Sequence, residues 1–468
     1  MEKQPEIEKD KLRKERKKMD TALKNYKKEF KIIMERTNIL YNYEDESKDS
    51  QIKNKNKYLQ RLLERILESD RRFIDHIFRP KIERIMEMIM KNLFRPLPTK
   101  KLTDLDMTEG NAETEEVLDK SWSTLEILYE ILINIIQHPV MSESVLKYFL
   151  TEEFIQSILD LFESQNAQER DYLKQITHKL YSKVVKRRRL FRRMFNNHFI
   201  ALIYEKPTSN GPNEILDIYA AIISGFAIPL RPEHIEFFKN FLTPLLKLQN
   251  CSKFYEEILR CILIFLQKDP NLSEILLTTV LDIWPYANTN KELAFLVTLY
   301  ESLDVISSLE NIQIYIEPLS KRISACLNSE HVQVIDRCMT FFERDSMINM
   351  LREYATEMYP IIVPPIERQI KEHWHETLKS NFDDLKKILM ELDIDTYEEV
   401  KDDYQEKQEF KRSKRAELDS KWKILEDRIK DSQPNYIPPA LPFQSDTCVS
   451  DYNELYFSVC QKDKNLQE

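Results

Sequence analysis

Three glycines in 468 residues, Gly110, Gly211 and Gly225, set the tightest limit on this chain. Ordinary sequences carry about 7% glycine, and hairpin turns and phosphate-cradling loops depend on it. Neither GxGxxG nor GxxxxGK(S/T) can be assembled from these three positions, which excludes a conventional dinucleotide or P-loop enzyme. Helices, which call on glycine mainly at their ends, are the structure left open.

The remaining composition agrees. Charged residues at 32% and hydrophobic residues at 42% suit amphipathic helices with solvated outer faces. No apolar run approaches the roughly 18 residues a bilayer span needs, and the Lys- and Glu-rich start lacks a signal-peptide core. A cytoplasmic protein is expected, with the nucleus also open. The six cysteines never form a CxxC pair, so thiols are expected rather than zinc sites or disulfides. A formal charge of -9 argues against general attraction to nucleic acid.

Between about Lys53 and Asp393, stretches of helical apolar spacing alternate with short polar or proline-containing breaks. Leu125, Leu128, Leu132, Ile135 and Ile136 align on one helix face, which should end before His138-Pro139. Breaks at Ser164 to Arg170, Lys206 to Asn213, Lys247 to Lys253, Pro285 to Glu292 and Leu327 to His331 recur at intervals near forty residues. That is the period of a HEAT-type helix pair, with Pro229 and Lys268 opening breaks inside pairs. A single pair cannot bury its apolar face, so the pairs must stack. The chain reads as all-α, a superhelical solenoid of HEAT-like helix-pair repeats over residues 55–395. A charged, partly disordered arm precedes it (1–54), a charged helix follows (396–432), and a proline-containing disordered tail closes the chain (433–468). The arm carries 13 Lys/Arg against 8 Asp/Glu from Met1 to Arg36, which reads as a mobile arm or a solvated charged helix.

No constellation argues for chemistry. His373 and His375 lie two apart, and two such positions on a helix point to different faces, whereas zincin histidines need i, i+4. Asp104 and Asp106 fit helix capping better than metal binding. No catalytic residues, cofactor or metal are expected. The most informative cluster is His178 to Arg193, with seven Lys/Arg from Lys183 onward. A solvated face, an import signal and a phosphate site all compete for it. Leu173, Ile176, Leu180 and Val184 make a core stripe, while His178, Tyr181, Val185 and Arg188 make a second stripe open to a ligand if the helix runs that far. One helix pair later Ile215, Ile218 and Ile222 repeat the core spacing beside Asp217, and Arg231 and His234 follow the next break. Stacked repeats would form a groove for an extended peptide with aliphatic anchors and acidic or phosphorylated residues.

The segment LFRPLPTKKLTDLDMTEGNAETEEVLDKSW (Leu93 to Trp122) resembles the B-prime regulatory subunits of protein phosphatase 2A. The likeness continues through RDYLKQITHKLY (Arg170 to Tyr181), IISGFAIPL (Ile222 to Leu230), FLQKDPNLSE (Phe265 to Glu274) and KEHWHETL (Lys371 to Leu378), and covers roughly Tyr58 to Lys430. The resemblance implies a non-catalytic subunit that joins scaffold and catalytic phosphatase subunits and captures substrates through Leu-x-x-Ile-x-Glu peptides. It implies peptide contacts at His178, Lys179, Tyr181, Arg188, Asp217, Ile218, Ile222, Arg231 and His234. Tyr181, Ile218 and Ile222 would line anchor pockets, His178 and Lys179 would meet the peptide's Glu, and Arg188, Arg231 and His234 would favour an acidic or phosphorylated neighbour. Lys179 stands where Arg is usual, Gln175 where Thr is, and Asp217 where Glu is, and lysine lacks the two-pronged donation of guanidinium. A helical-repeat adaptor and an RNA-binding solenoid, both without a phosphatase partner, are the alternatives.

Overall fold

The computed structural model describes residues 4–43, 45–68, 70–97, 120–205 and 209–432, with side chains from residue 21 onward apart from residues 46, 430 and 432. Asp104, Asp106, Cys448, Cys460 and the tail 433–468 lie outside them. Among the described residues there is no strand, and no helix is long and apolar enough to cross a membrane.

Two compact units divide the chain, Met1–Leu392 and Asp393–Glu468. In chain order the first contains α1 (Gln4–Thr37), α2 (Asp49–Glu68), α3 (Arg71–Phe73), α4 (Ile82–Leu93), α5 (Trp122–Gln137), α6 (Glu143–Phe149) and α7 (Glu152–Leu161). It continues with α8 (Ala167–Lys183), α9 (Arg188–Tyr204), α10 (Pro212–Ser224), α11 (Pro232–Phe237), α12 (Tyr255–Lys268) and α13 (Leu272–Asp282). Then follow α14 (Thr289–Ile306), α15 (Gln313–Leu327), α16 (Val332–Met339), α17 (Asp345–Glu353), α18 (Ala355–Glu372) and α19 (Glu376–Leu392). The second unit holds α20 (Ile394–Ser432).

The first unit is a solenoid of two helix ladders. One runs α2, α5, α8, α10, α12, α14, α16, each packed on the next. The other runs α7, α9, the helical turns that continue α11 to Lys247, α13, α15, α18. The repeat length is written into the side-chain bonds that join neighbours. Arg170 meets Glu214 at 44 residues' separation, Lys174 meets Asp217 at 3.2 Å, Tyr255 meets Thr298 at 43 and Arg368 meets Asn328 at 40. Buried Leu128, Ile176, Ile215, Ile262 and Phe295 mark successive levels of the first ladder's core.

Local chemistry sets the helix ends. Thr151, Asn166 and Asn288 accept from the first free N–H groups of α7, α8 and α14, and Pro212 and Pro232 open α10 and α11. At the other ends, lysines cap helices from a distance. Lys183 donates to Ile136 O at 2.6 Å where α5 stops, and Lys268 donates to Ser224 O at 3.0 Å and Phe226 O at 2.8 Å where α10 stops. A cation among orphan carbonyls is favoured by both hydrogen bonding and the helix dipole.

The N-terminal arm, read as a mobile arm or a solvated charged helix, is helix from Gln4 to Thr37, and one of its faces is buried. Phe30, Ile33 and Met34 fall at steps of three and one, are buried, and set α1 against α2 and α4. Dense charge hid this stripe, because the polar residues occupy the other faces of the same helix.

Candidate functional site

A cleft of about 290 Å³ opens between α8, α10 and α12. Lys174, Gln175 and His178 line it from α8, Asp217, Ile218 and Ala221 from α10, and Arg260 and Ile264 from α12. Lys174 and His178 share a helix face by their i, i+4 spacing. Arg260 follows Asp217 by one repeat length. Sequence reasoning missed Lys174, Arg260 and Ile264, although stepping four residues back from His178, and forty-three on from Asp217, reaches the two cations.

Asp217 is held from both sides. Its carboxylate meets the Lys174 ammonium at 3.2 Å and the Arg260 guanidinium, while Lys174 also meets Asp171 at 3.1 Å. Partial burial alone would raise the Asp217 pKa, but the hydrogen bonds from Arg260 and Lys174 outweigh it and hold the carboxyl below its usual range. The charge of Asp217 is therefore answered inside the protein. By contrast, His178 is exposed and Lys179 half-buried, and neither makes a hydrogen bond or ion pair among the described residues. Ile218 and Ile264 form part of the cleft wall, whereas Ile222, buried like Ile218, is not among its lining residues.

The second stripe does not continue as one helix. α8 stops at Lys183, a tight turn covers Val185–Arg187, and α9 begins at Arg188. Arg188 folds back, donating to Tyr181 O at 3.1 Å and Ser182 O at 3.2 Å, with its guanidinium 5.3 Å from the Tyr181 ring centroid. Tyr181 is consequently buried, and its hydroxyl accepts from Arg192 at 3.2 Å. Arg192 reaches Glu233 at 3.4 Å, and Glu233 lies 3.5 Å from His234 Nε2. His234 stacks face to face on Phe226 at 3.6 Å. Burial lowers its pKa first, and Arg192 and Arg231 lower it further against the opposing Glu233. Arg231, at the start of α11, stays exposed. Tyr181 and His234 thus belong to one chain of contacts, none of whose members lines the cleft holding His178 and Ile218.

Most of the basic run is occupied internally. Lys183 and Arg188 cap helices, Arg187 donates to Lys147 O at 3.4 Å, Arg192 meets Glu233, and Arg193 pairs with Glu152. The histidine pair also differs from expectation. His373 and His375 lie not in a helix but in the turn between α18 and α19, where His373 Nδ1 accepts from His375 N at 2.9 Å and His375 Nδ1 accepts from Leu378 N at 3.4 Å. Their ring nitrogens shape the start of α19, and among the described residues no group of His, Cys, Asp or Glu could hold a metal ion.

A second cleft, of about 880 Å³, lies along the same ladder between α2, α5 and α8 and shares Gln175 with the first. Leu63, Leu67 and Ile133 give it apolar walls, and Glu126, Glu130 and Asp171 an acidic rim. The two clefts offer opposite charge to anything lying across both.

Compared with known proteins, residues 15–429 match the family described as protein phosphatase 2A regulatory B subunit (B56 family). The alpha isoform of the 56 kDa regulatory subunit from Mus musculus is 33% identical over 343 residues, spanning 73% of this chain and 70% of its own. The 57 kDa B' beta isoform of Arabidopsis thaliana is 32% identical over 344 residues, 73% and 69% of the two chains. The regulatory subunit pptr-1 of Caenorhabditis elegans is 31% identical over 360 residues, 75% and 66%.

Proposed function

Since this chain belongs to the B56 family of protein phosphatase 2A regulatory B subunits and is a non-catalytic regulator, we propose that it binds the scaffold and catalytic subunits and brings substrates to them. It acts by tethering. A substrate peptide held on the solenoid raises the local concentration of its phosphorylated residues at the companion active site, without any group on this chain touching the reacting phosphorus.

The observation that carries the substrate reading is the meeting of His178 and Ile218 in one cleft, edged by Lys174 and Arg260. An aliphatic anchor of a Leu-x-x-Ile-x-Glu peptide would sit against Ile218, Ala221 and Ile264, and the peptide's Glu would meet His178 and Lys179, whose polar atoms are free to receive it. Arg231 and His234 would face an acidic or phosphorylated neighbour. Asp217, Tyr181 and Arg188 would meet the peptide while keeping their internal partners: Asp217 pairs with Lys174 and Arg260, and Arg188 donates to the Tyr181 carbonyl.

Binding of a labelled Leu-x-x-Ile-x-Glu peptide to wild type and to Lys179→Glu tests this. We expect at least about a tenfold loss, the scale of one charge-assisted contact reversed, with an unchanged melting temperature; equal affinity in the two proteins refutes the site. Co-purification with scaffold and catalytic subunits tests the assembly, which a chain that ignores both would rule out. The RNA-binding alternative is disfavoured by the cations between Lys183 and Arg193, five of which already serve helix ends and ion pairs. The adaptor alternative without a phosphatase fails if co-purification succeeds.

A further inference from the structure

α20 is a long charged helix whose exposed apolar side chains gather toward its C-terminal end. Leu418, Trp422, Leu425 and Ile429 follow one another at steps of four, three and four, and all four are exposed, from 38% at Ile429 to 64% at Trp422. Those steps are the d, a, d, a positions of two heptads, which place the four side chains on a single seam. One seam on one helix leaves its apolar side chains in water.

The flanking charges say what fits it. With Leu418 and Leu425 at d, Lys414 and Lys421 fall at g and Asp419 and Glu426 at e. Two parallel copies in register set each g residue against the e residue of the next heptad across the seam, so Lys414 meets Asp419 of the other copy and Lys421 meets its Glu426. An antiparallel pair sets g against g and e against e, lysine against lysine and carboxylate against carboxylate. Lys421 pairs within its own helix with Glu417, on an exposed face where such a pair exchanges readily. Upstream, the same register puts Lys411 and Arg415 at d and a, so the seam stops there.

We propose that this face takes a second copy of the chain, forming a short parallel coiled coil over residues 414–429. Two heptads make a weak dimer whose population rises with concentration.

Sedimentation velocity on the full chain from about 1 to 200 μM tests it over the range where a weak dimer would form. We expect the average mass to climb from that of one 56.2 kDa chain toward that of two. Trp422→Glu with Leu425→Glu should hold the chain monomeric throughout, at unchanged helix content. Lys421→Glu should weaken dimerisation about tenfold or more, and adding Glu426→Lys should restore it. A wild-type chain that stays monomeric at every concentration overturns the proposal, as does a dimer indifferent to the paired Glu substitutions. A dimer that Lys421→Glu leaves unchanged refutes the parallel arrangement. None of these measurements involves a phosphatase subunit, so they stand or fall apart from the function proposed above.

Discussion

Glu169 shows how a single buried carboxylate ties several helices of this array together. At 1% exposure it accepts from Arg95 at 2.7 and 3.1 Å, from the Tyr129 hydroxyl at 2.7 Å and from the Ser164 hydroxyl at 2.5 Å. Replacing it by alanine leaves a guanidinium and two hydroxyls without that acceptor in a dry site, a loss of about 3–5 kcal/mol. Glu169→Ala should therefore lower the urea midpoint sharply, with Glu169→Gln between it and wild type; two wild-type-like curves would refute the role. His234 gives a pH dependence. Its folded pKa lies below the unfolded value of about 6.5, because burial and the nearby Arg192 and Arg231 disfavour the imidazolium. Below 6.5 the unfolded chain takes up the proton first, so this stability is full above pH 6.5 and is lost as pH falls through the folded value. Half-buried His138 and buried His373 shift the same way, so the measurement is a difference: the drop in melting temperature from pH 7.5 to 5.5 should be smaller for His234→Phe, which keeps the stack on Phe226, than for wild type.

Helices and their joints were unequally legible in the sequence. Breaks signalled by proline or by clusters of small polar residues fall where the polar runs put them: α5 stops at Gln137 before His138-Pro139, and α15 and α16 flank Asn328 to His331. The break between α8 and α9 carried no such signal. Its residues are basic and apolar in helical rhythm, and the helix ends there because Arg188 turns back to carbonyls that a continuing helix would have used. A helical period cannot reveal a competitor for the same acceptors. Within the candidate site the apolar spacing of Ile215, Ile218 and Ile222 could be read, but which isoleucine lines the cleft depends on the neighbouring helix, which brings Ile264. The joint before α10 is set by contact rather than torsion. A Cβ on Gly211 would come 2.6 Å from Phe162 Cβ and 2.9 Å from its carbonyl oxygen, both in the loop that ends α7, whereas one on Gly225 meets nothing closer than 3.4 Å. Gly211→Ala should accordingly destabilise by about 1–3 kcal/mol through overpacking, and Gly225→Ala should be nearly neutral, as compared by thermal melts.

Across the whole first unit, stability is a sum over neighbours, and the terminal repeats face a problem the inner ones do not. An inner helix of the first ladder is covered on both sides, but α2 has α5 on one side only and needs a cap on the other. α1 supplies it, burying Phe30, Ile33 and Met34 against the first helices of the stack. The connection after α1 is tied down as well: the ammonium of Lys55 on α2, itself 1% exposed, donates to Ile39 O at 2.8 Å and to Asn92 Oδ1 at 2.5 Å, and its burial lowers its pKa to about 8. Removing residues 1–43 would take Phe30, Ile33 and Met34 off the first helices of the stack, wet the apolar side chains they cover, and take one acceptor from a buried cation. Each newly wetted apolar side chain costs about 1.5–3 kcal/mol. The truncated chain should melt several degrees lower and bind a hydrophobic dye that the intact chain excludes, with the change confined to the first repeats by hydrogen exchange. If α1 were merely a charged arm, truncation would leave both the melting temperature and the exchange of α2 where they were.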